Sequence, residues 1–97
     1  MITKALLAKL SAKPGKEKEV EAFLKSALPI VLGEEGTMSW YAIRFSATSF
    51  GIFDTFASDE GRQAHLAGEV VKALMINVPH LLAEDPVIDF LEVLASK

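Results

Sequence analysis

A chain of 97 residues is long enough for one small domain, and we expect residues 1–97 to form a single domain. Hydrophobic residues make up 51% of the chain and the mean hydropathy is +0.30, more apolar surface than one small core can bury, which favours a homodimer interface. The net charge of −3 argues against a nucleic-acid partner. The absence of cysteine excludes disulfides and fits a reducing cytoplasm. No apolar run reaches the roughly 18 residues that cross a membrane.

The chain begins with a predicted strand and an amphipathic helix. Residues 2–10 alternate with apolar side chains on both faces, which predicts a strand covered on both sides. After a turn signal at residues 13–15, apolar residues recur at helical spacing from Val20 to Leu32. Pro29 lies inside this pattern, so we expect a kink or an early end near Leu28.

The middle of the chain predicts two more strands, residues 38–46 and 50–56, joined by a short polar loop. Both strands are apolar on both faces, whereas strands of a sheet with one solvent-exposed face alternate apolar and polar residues.

The last part of the chain predicts helical structure followed by a fourth strand at residues 87–94. Ser58 is suited to cap a helix, Gly68 predicts a break within the helical pattern, and Pro79 marks its exit. The resulting order, β-α-β-β-α-β, is that of the ferredoxin-like α+β fold, a four-stranded antiparallel sheet with the helices on one face. Because the other face is also apolar, we expect a second copy to cover it, as in a dimeric α/β barrel.

Few polar side chains are placed where they could do chemistry. Arg44 and Asp54 lie in apolar strands that a hairpin would set side by side, and we expect them to be partners, either as a structural ion pair or around a polar ligand. Trp40 and Tyr41 point to opposite faces, so at most one lines a given pocket, and core or interface packing is the alternative. On one continuous helix His65 would face solvent, whereas a break after it would let it face the cleft between helix and sheet.

No phosphate-binding loop and no His/Cys ligand spacing is present, so we expect no bound metal, haem or flavin. His80, near the predicted helix end, is interpreted as a favourable charge there.

Residues 13–44 and 50–74 resemble the antibiotic biosynthesis monooxygenase superfamily of small dimeric α/β-barrel proteins, most specifically in the segments EEGTMSW and FDTF. The resemblance implies a homodimer with a pocket between helices and sheet in each subunit. Some relatives oxidise quinol-like or polyketide aromatics with dioxygen and without metal or flavin.

Other relatives degrade haem with an Asn, Trp, His trio, and those positions fall here on Ala8, His65 and Met75. None of the three matches, which disfavours haem degradation. The same correspondence implies that the side chain at position 65 lines the pocket.

Two functions remain open at this point. The first is a cofactor-independent monooxygenase acting on a small electron-rich aromatic, with His65 as the base that removes a phenolic proton. The second is a non-catalytic dimer that binds a small hydrophobic ligand, and a pocket shared by His65 and Arg44 would favour the first. The residues predicted to contact the substrate are Trp40, Arg44, Asp54, Phe56 and Met75.

Overall fold

The computed structural model describes residues 1–97 and contains four strands and three helices. In chain order they are β1 (Lys4–Ser11), α1 (Glu17–Val31), β2 (Thr37–Arg44), β3 (Ser49–Phe56), α2 (Asp59–Leu66), α3 (Glu69–Leu81) and β4 (Val87–Glu92). The strands form one antiparallel sheet in the order β2-β3-β1-β4. The predicted ferredoxin-like fold is therefore confirmed. None of the three helices has the length and apolar character needed to span a bilayer.

Both internal prolines are accommodated inside helices. The helix α1 continues through Pro29 to Val31, so the predicted early end near Leu28 is wrong, and α3 likewise continues past Pro79. Each proline lies in a last turn, and the helical hydrogen bond that it cannot donate would have gone to an exposed residue, Lys25 or Met75. Water can donate a hydrogen bond to each of those carbonyls, so the missing helical hydrogen bond destabilises the helix only slightly.

The predicted break at Gly68 is present and divides the second helical segment into α2 and α3. Ser58 caps α2 as predicted, because its Oγ accepts a hydrogen bond from the Gly61 backbone N–H at 3.3 Å. Ending α2 at Leu66 frees α3 to take its own direction, so the two helices need not share one buried face.

The core lies between the sheet and the helices. Alternate residues of β1 and β3, such as Leu10 and Phe50, meet apolar residues of α1 and α3, such as Val20 and Leu74. The opposite sheet face is also apolar but lies open within one chain, where it exposes Tyr41, Ile43 and Phe45.

Candidate functional site

A buried histidine between two carboxylates forms the most enclosed polar cluster of the molecule. His65 Nε2 lies 2.9 Å from Asp54 Oδ2, and His65 Nδ1 lies 2.6 Å from Glu34 Oε1. The side chains of His65, Asp54 and Glu34 are 5%, 2% and 19% exposed, respectively. Both ring nitrogens are thus engaged, one by each carboxylate.

The local structure around each residue explains this arrangement. Strand alternation turns Asp54 to the helix side of β3, and Phe56, two residues later, packs its ring 5.5 Å from the His65 ring, measured between centroids. His65 follows the Ser58 cap by about two helical turns and lies over the same part of the sheet. His65 is therefore buried against the sheet, which is the alternative expected if the helix breaks after it.

Glu34 reaches the cluster from the loop between α1 and β2. Its Oε1 also accepts a hydrogen bond from Thr37 Oγ1 at 2.8 Å. This loop packs directly on α2, because a Cβ added to Gly36 would lie only 2.9 Å from the Gly61 Cα. The pair of glycines therefore permits the close approach that brings Glu34 to His65.

The two carboxylates determine the charge of His65. Burial lowers the pKa of His65, but the adjacent carboxylates of Asp54 and Glu34 raise it more, and the net result is a pKa above the ordinary histidine value. In its imidazolium form the ring presents an N–H to each carboxylate. The raised pKa favours the imidazolium form, in which neither ring nitrogen has a free lone pair.

A small apolar cavity of about 30 Å³ adjoins the Asp54 and His65 side chains. The other lining side chains are apolar and come from β1, β3, α3 and β4; they include Leu6, Ala8, Ile52, Val70, Leu74 and Ile88. Asp54 Oδ2 is paired with His65 Nε2, whereas Asp54 Oδ1 is buried without a hydrogen-bond donor. A buried carboxylate oxygen without a donor is costly, so this site favours a ligand that supplies one.

Arg44 lies elsewhere, and its predicted partnership with Asp54 is wrong. In the β2–β3 register, Arg44 is opposite Phe50, and Trp40 is opposite Asp54. Arg44 pairs with Glu21 of α1 and places its guanidinium carbon 5.1 Å from the centre of the Phe50 ring. It lines a separate pocket of about 190 Å³ between α1 and β2, so His65 and Arg44 do not share a pocket.

The three remaining predicted contact residues also lie outside the cavity lining. Trp40 lines an open groove of about 340 Å³ beside β2, where its buried Nε1–H has no hydrogen-bond partner. Phe56 is fully buried behind His65. Met75 is 51% exposed on α3.

Sequence reasoning missed Glu34. The chain has adjacent glutamates at positions 34 and 35, and no local pattern distinguishes them. Only the tertiary contact with His65 does so. Because the two carboxylates engage opposite nitrogens of the ring, the cluster does not converge on one point, and no group of three or more His, Cys, Asp or Glu side chains is arranged to hold a metal ion.

Comparison with known proteins places the chain in a family. A crystal structure of a protein of unknown function from Nitrosomonas europaea is 47% identical, with a TM-score of 0.98, and the match covers 100% of this chain and 94% of that one. The chain belongs to the family of that protein. No protein-family model matches the chain, and no protein of curated function matches it significantly.

More distant structures share the fold. A second Nitrosomonas europaea protein, named provisionally as an antibiotic biosynthesis monooxygenase, is 15% identical with a TM-score of 0.84, over 95% of this chain and 90% of that one. A Caulobacter crescentus protein with the same provisional name is 22% identical with a TM-score of 0.81, over 97% and 92%. The predicted resemblance to this superfamily is therefore confirmed at the level of the fold.

Proposed function

We propose that this protein is a cofactor-independent monooxygenase that uses dioxygen to oxidise a small electron-rich aromatic bearing a ring hydroxyl. The observation that carries the proposal is the buried Asp54 carboxylate, which adjoins an apolar cavity and whose Oδ1 has no hydrogen-bond donor. A phenolic O–H supplies that donor, and its ring suits the apolar walls. The provisional names of the structural neighbours agree with this class of reaction.

The geometry supports Asp54, in place of His65, as the proton acceptor. Both nitrogens of His65 are engaged by carboxylates, and its raised pKa favours the cation, which has no lone pair for a substrate proton. Asp54 has acceptor capacity at Oδ1, within reach of a group in the cavity. The His65 cation then stands beside the aryloxide and stabilises it.

The reaction that we propose is balanced by dioxygen alone. The aryloxide passes one electron to dioxygen, and the aryloxyl radical and superoxide combine to form a carbon–oxygen bond at a ring carbon that carries hydrogen. The peroxide takes the proton back from Asp54. Loss of the ring-carbon proton and cleavage of the O–O bond then leave a carbonyl and release water. A hydroquinone and dioxygen would thus give a hydroxyquinone and water.

The cavity must enlarge to admit such a substrate. At about 30 Å³ it has room for roughly one water molecule, whereas a cavity that holds benzene is about 150 Å³. Three of the lining residues, Val70, Val71 and Leu74, belong to α3, which begins immediately after the Gly68 break. We propose that α3 moves away from the sheet about this break when the substrate enters.

We also propose a homodimer through the open face of the sheet. Tyr41 and Phe45 are each more than half exposed there, and Phe53 and Leu7 extend the apolar surface across β3 and β1. Contiguous apolar surface of this kind is typical of a subunit interface.

The alternative is a non-catalytic dimer that binds a small hydrophobic ligand. The predominantly apolar cavity lining and the separation of Arg44 from His65 both favour it. A dioxygen-uptake screen of the purified protein with substituted hydroquinones and naphthols separates the two functions. The monooxygenase should consume dioxygen, and with ¹⁸O₂ one labelled atom should enter the product and the other should enter water. Saturable binding without uptake would support the non-catalytic alternative instead.

A further inference from the structure

Glu34 is fixed on the side of His65 that faces away from the cavity. Its Oε1 contacts His65 Nδ1 at 2.6 Å and accepts the hydrogen bond from Thr37. Its Oε2 lies where a Cβ on Gly68 would approach within 3.2 Å, so the absence of a side chain there leaves room for the carboxylate. The Glu34 carboxylate is therefore positioned from three separate parts of the chain.

His65 has only two charged neighbours in this enclosure. Asp54 faces it from β3 and Glu34 faces it from the loop before β2. The cavity walls from β1, β4 and α3 are apolar, and α2 contributes His65 itself. Once Asp54 has taken a substrate proton, Glu34 is the one remaining anion of the protein in contact with the ring.

We propose that Glu34 is a positioning residue that keeps His65 cationic after Asp54 becomes neutral. This inference rests on the proposed monooxygenase function. Before proton transfer, one cation lies between two carboxylates, and the substrate is neutral. After transfer, Asp54 is neutral and the substrate is an anion, so the His65 cation lies between Glu34 and the aryloxide.

The consequence concerns electron transfer. Superoxide and peroxide also carry negative charge, and a fixed cation beside them stabilises each of these species in a site that excludes water. Without the Glu34 charge, a buried imidazolium beside a neutral Asp54 would tend to lose its proton, since burial disfavours the charged form. Glu34 thereby acts on the reaction through His65 without contacting the substrate.

The first test measures His65 directly and needs no substrate. Nuclear magnetic resonance titration of the His65 ring should show a pKa lower by about one unit or more in Glu34→Gln than in the wild type, since a nearby charge typically changes a pKa by 1–3 units. Glu35→Gln is the matched control, because Glu35 is exposed and adjacent in sequence, and its His65 titration should equal that of the wild type. Thr37→Val, which removes the hydrogen bond to Glu34, should change the titration in the same direction and serves if Glu34→Gln does not fold.

The second test uses the hydroxyaromatic that the wild type oxidises. We expect Glu34→Gln to lower kcat by about 10²-fold, to leave KM nearly unchanged, and to move the alkaline limb of the pH profile to lower pH. An active wild type together with an unaltered His65 titration and pH profile in Glu34→Gln would overturn the positioning role alone. A wild type without dioxygen uptake on any substrate would overturn the monooxygenase proposal, and the catalytic purpose of Glu34 with it.

Discussion

His65 Nε2 and Asp54 Oδ2 lie 2.9 Å apart in a part of the core where both side chains are almost completely enclosed. This pair joins the last turn of α2 to the inner strand β3 and adjoins the small cavity. A buried pair of this kind makes both the stability of the fold and the chemistry of the cavity sensitive to each partner.

Removing His65 alone should destabilise the protein more than removing the pair. In His65→Leu, Asp54 remains buried without a cation, and such a broken pair typically costs about 3–5 kcal/mol. The double variant His65→Leu with Asp54→Leu removes the stranded charge and should recover much of that loss. Urea denaturation of the wild type, both single variants and the double variant measures this coupling, and additive losses would show that the two residues act independently.

Stability should fall as the pH rises through the folded-state pKa of His65. That pKa is raised above the ordinary value, so the stabilisation is fully present below about pH 6.5 and is lost at higher pH. The difference in free energy of unfolding between the wild type and His65→Gln should therefore be larger at pH 6 than at pH 9. His80→Gln, at an exposed position in the last turn of α3, is the control. A difference that grows with pH would contradict this account.

A side chain at position 68 should disturb the cluster through sterics alone. In Gly68→Ala the new Cβ would lie 3.1 Å from the His65 carbonyl and 3.2 Å from Glu34 Oε2, so the carboxylate must move. We expect lower thermal stability and a lower His65 pKa in this variant. Gly33→Ala is the matched control, because its Cβ would meet only the Ile30 carbonyl at 3.5 Å, an ordinary contact. If Gly68→Ala and Gly33→Ala have the same thermal stability and the same His65 pKa, the proposed steric effect at position 68 is wrong.

The open sheet face should hold two copies together. We expect sedimentation equilibrium to show a dimer at micromolar concentration, and Ile43→Lys to weaken it because the change buries a charge in an apolar interface. Ile76→Lys is a suitable control, since Ile76 is exposed on α3, on the opposite side of the sheet. A monomeric wild type at this concentration would contradict the proposed dimer interface.

The fold could be predicted because its signals repeat along the chain. Leu6, Ala8 and Leu10 alternate for a whole strand, and the helical spacing around Gly68 revealed both the helix and its break. The predicted early end of α1 at Pro29 was wrong because the destabilisation of a helix by proline depends on which carbonyl loses its hydrogen-bond donor. That carbonyl lies on an exposed turn, which the spacing of apolar residues does not reveal.

The site could be predicted only in part. His65 and Asp54 were both selected as polar residues within apolar segments. Strand alternation alone leaves the register open, and because Arg44 and Trp40 share one face of β2, either could have been opposite Asp54. The structure places Trp40 opposite Asp54, and therefore Arg44 pairs with Glu21. Glu34 could not be identified because its role depends on a contact with a residue 31 positions away.

The most direct test of the central claim is the rate of dioxygen uptake by Asp54→Asn on a hydroxyaromatic that the wild type oxidises. Asparagine keeps the shape of the side chain but cannot accept the phenolic proton, so we expect a loss of about 10²–10⁴-fold. Asp89→Asn makes the same change at a half-exposed position of β4, and Arg44→Met changes the separate pocket; both should retain nearly the wild-type rate. A folded Asp54→Asn variant that consumes dioxygen at the wild-type rate would contradict catalysis at this cavity.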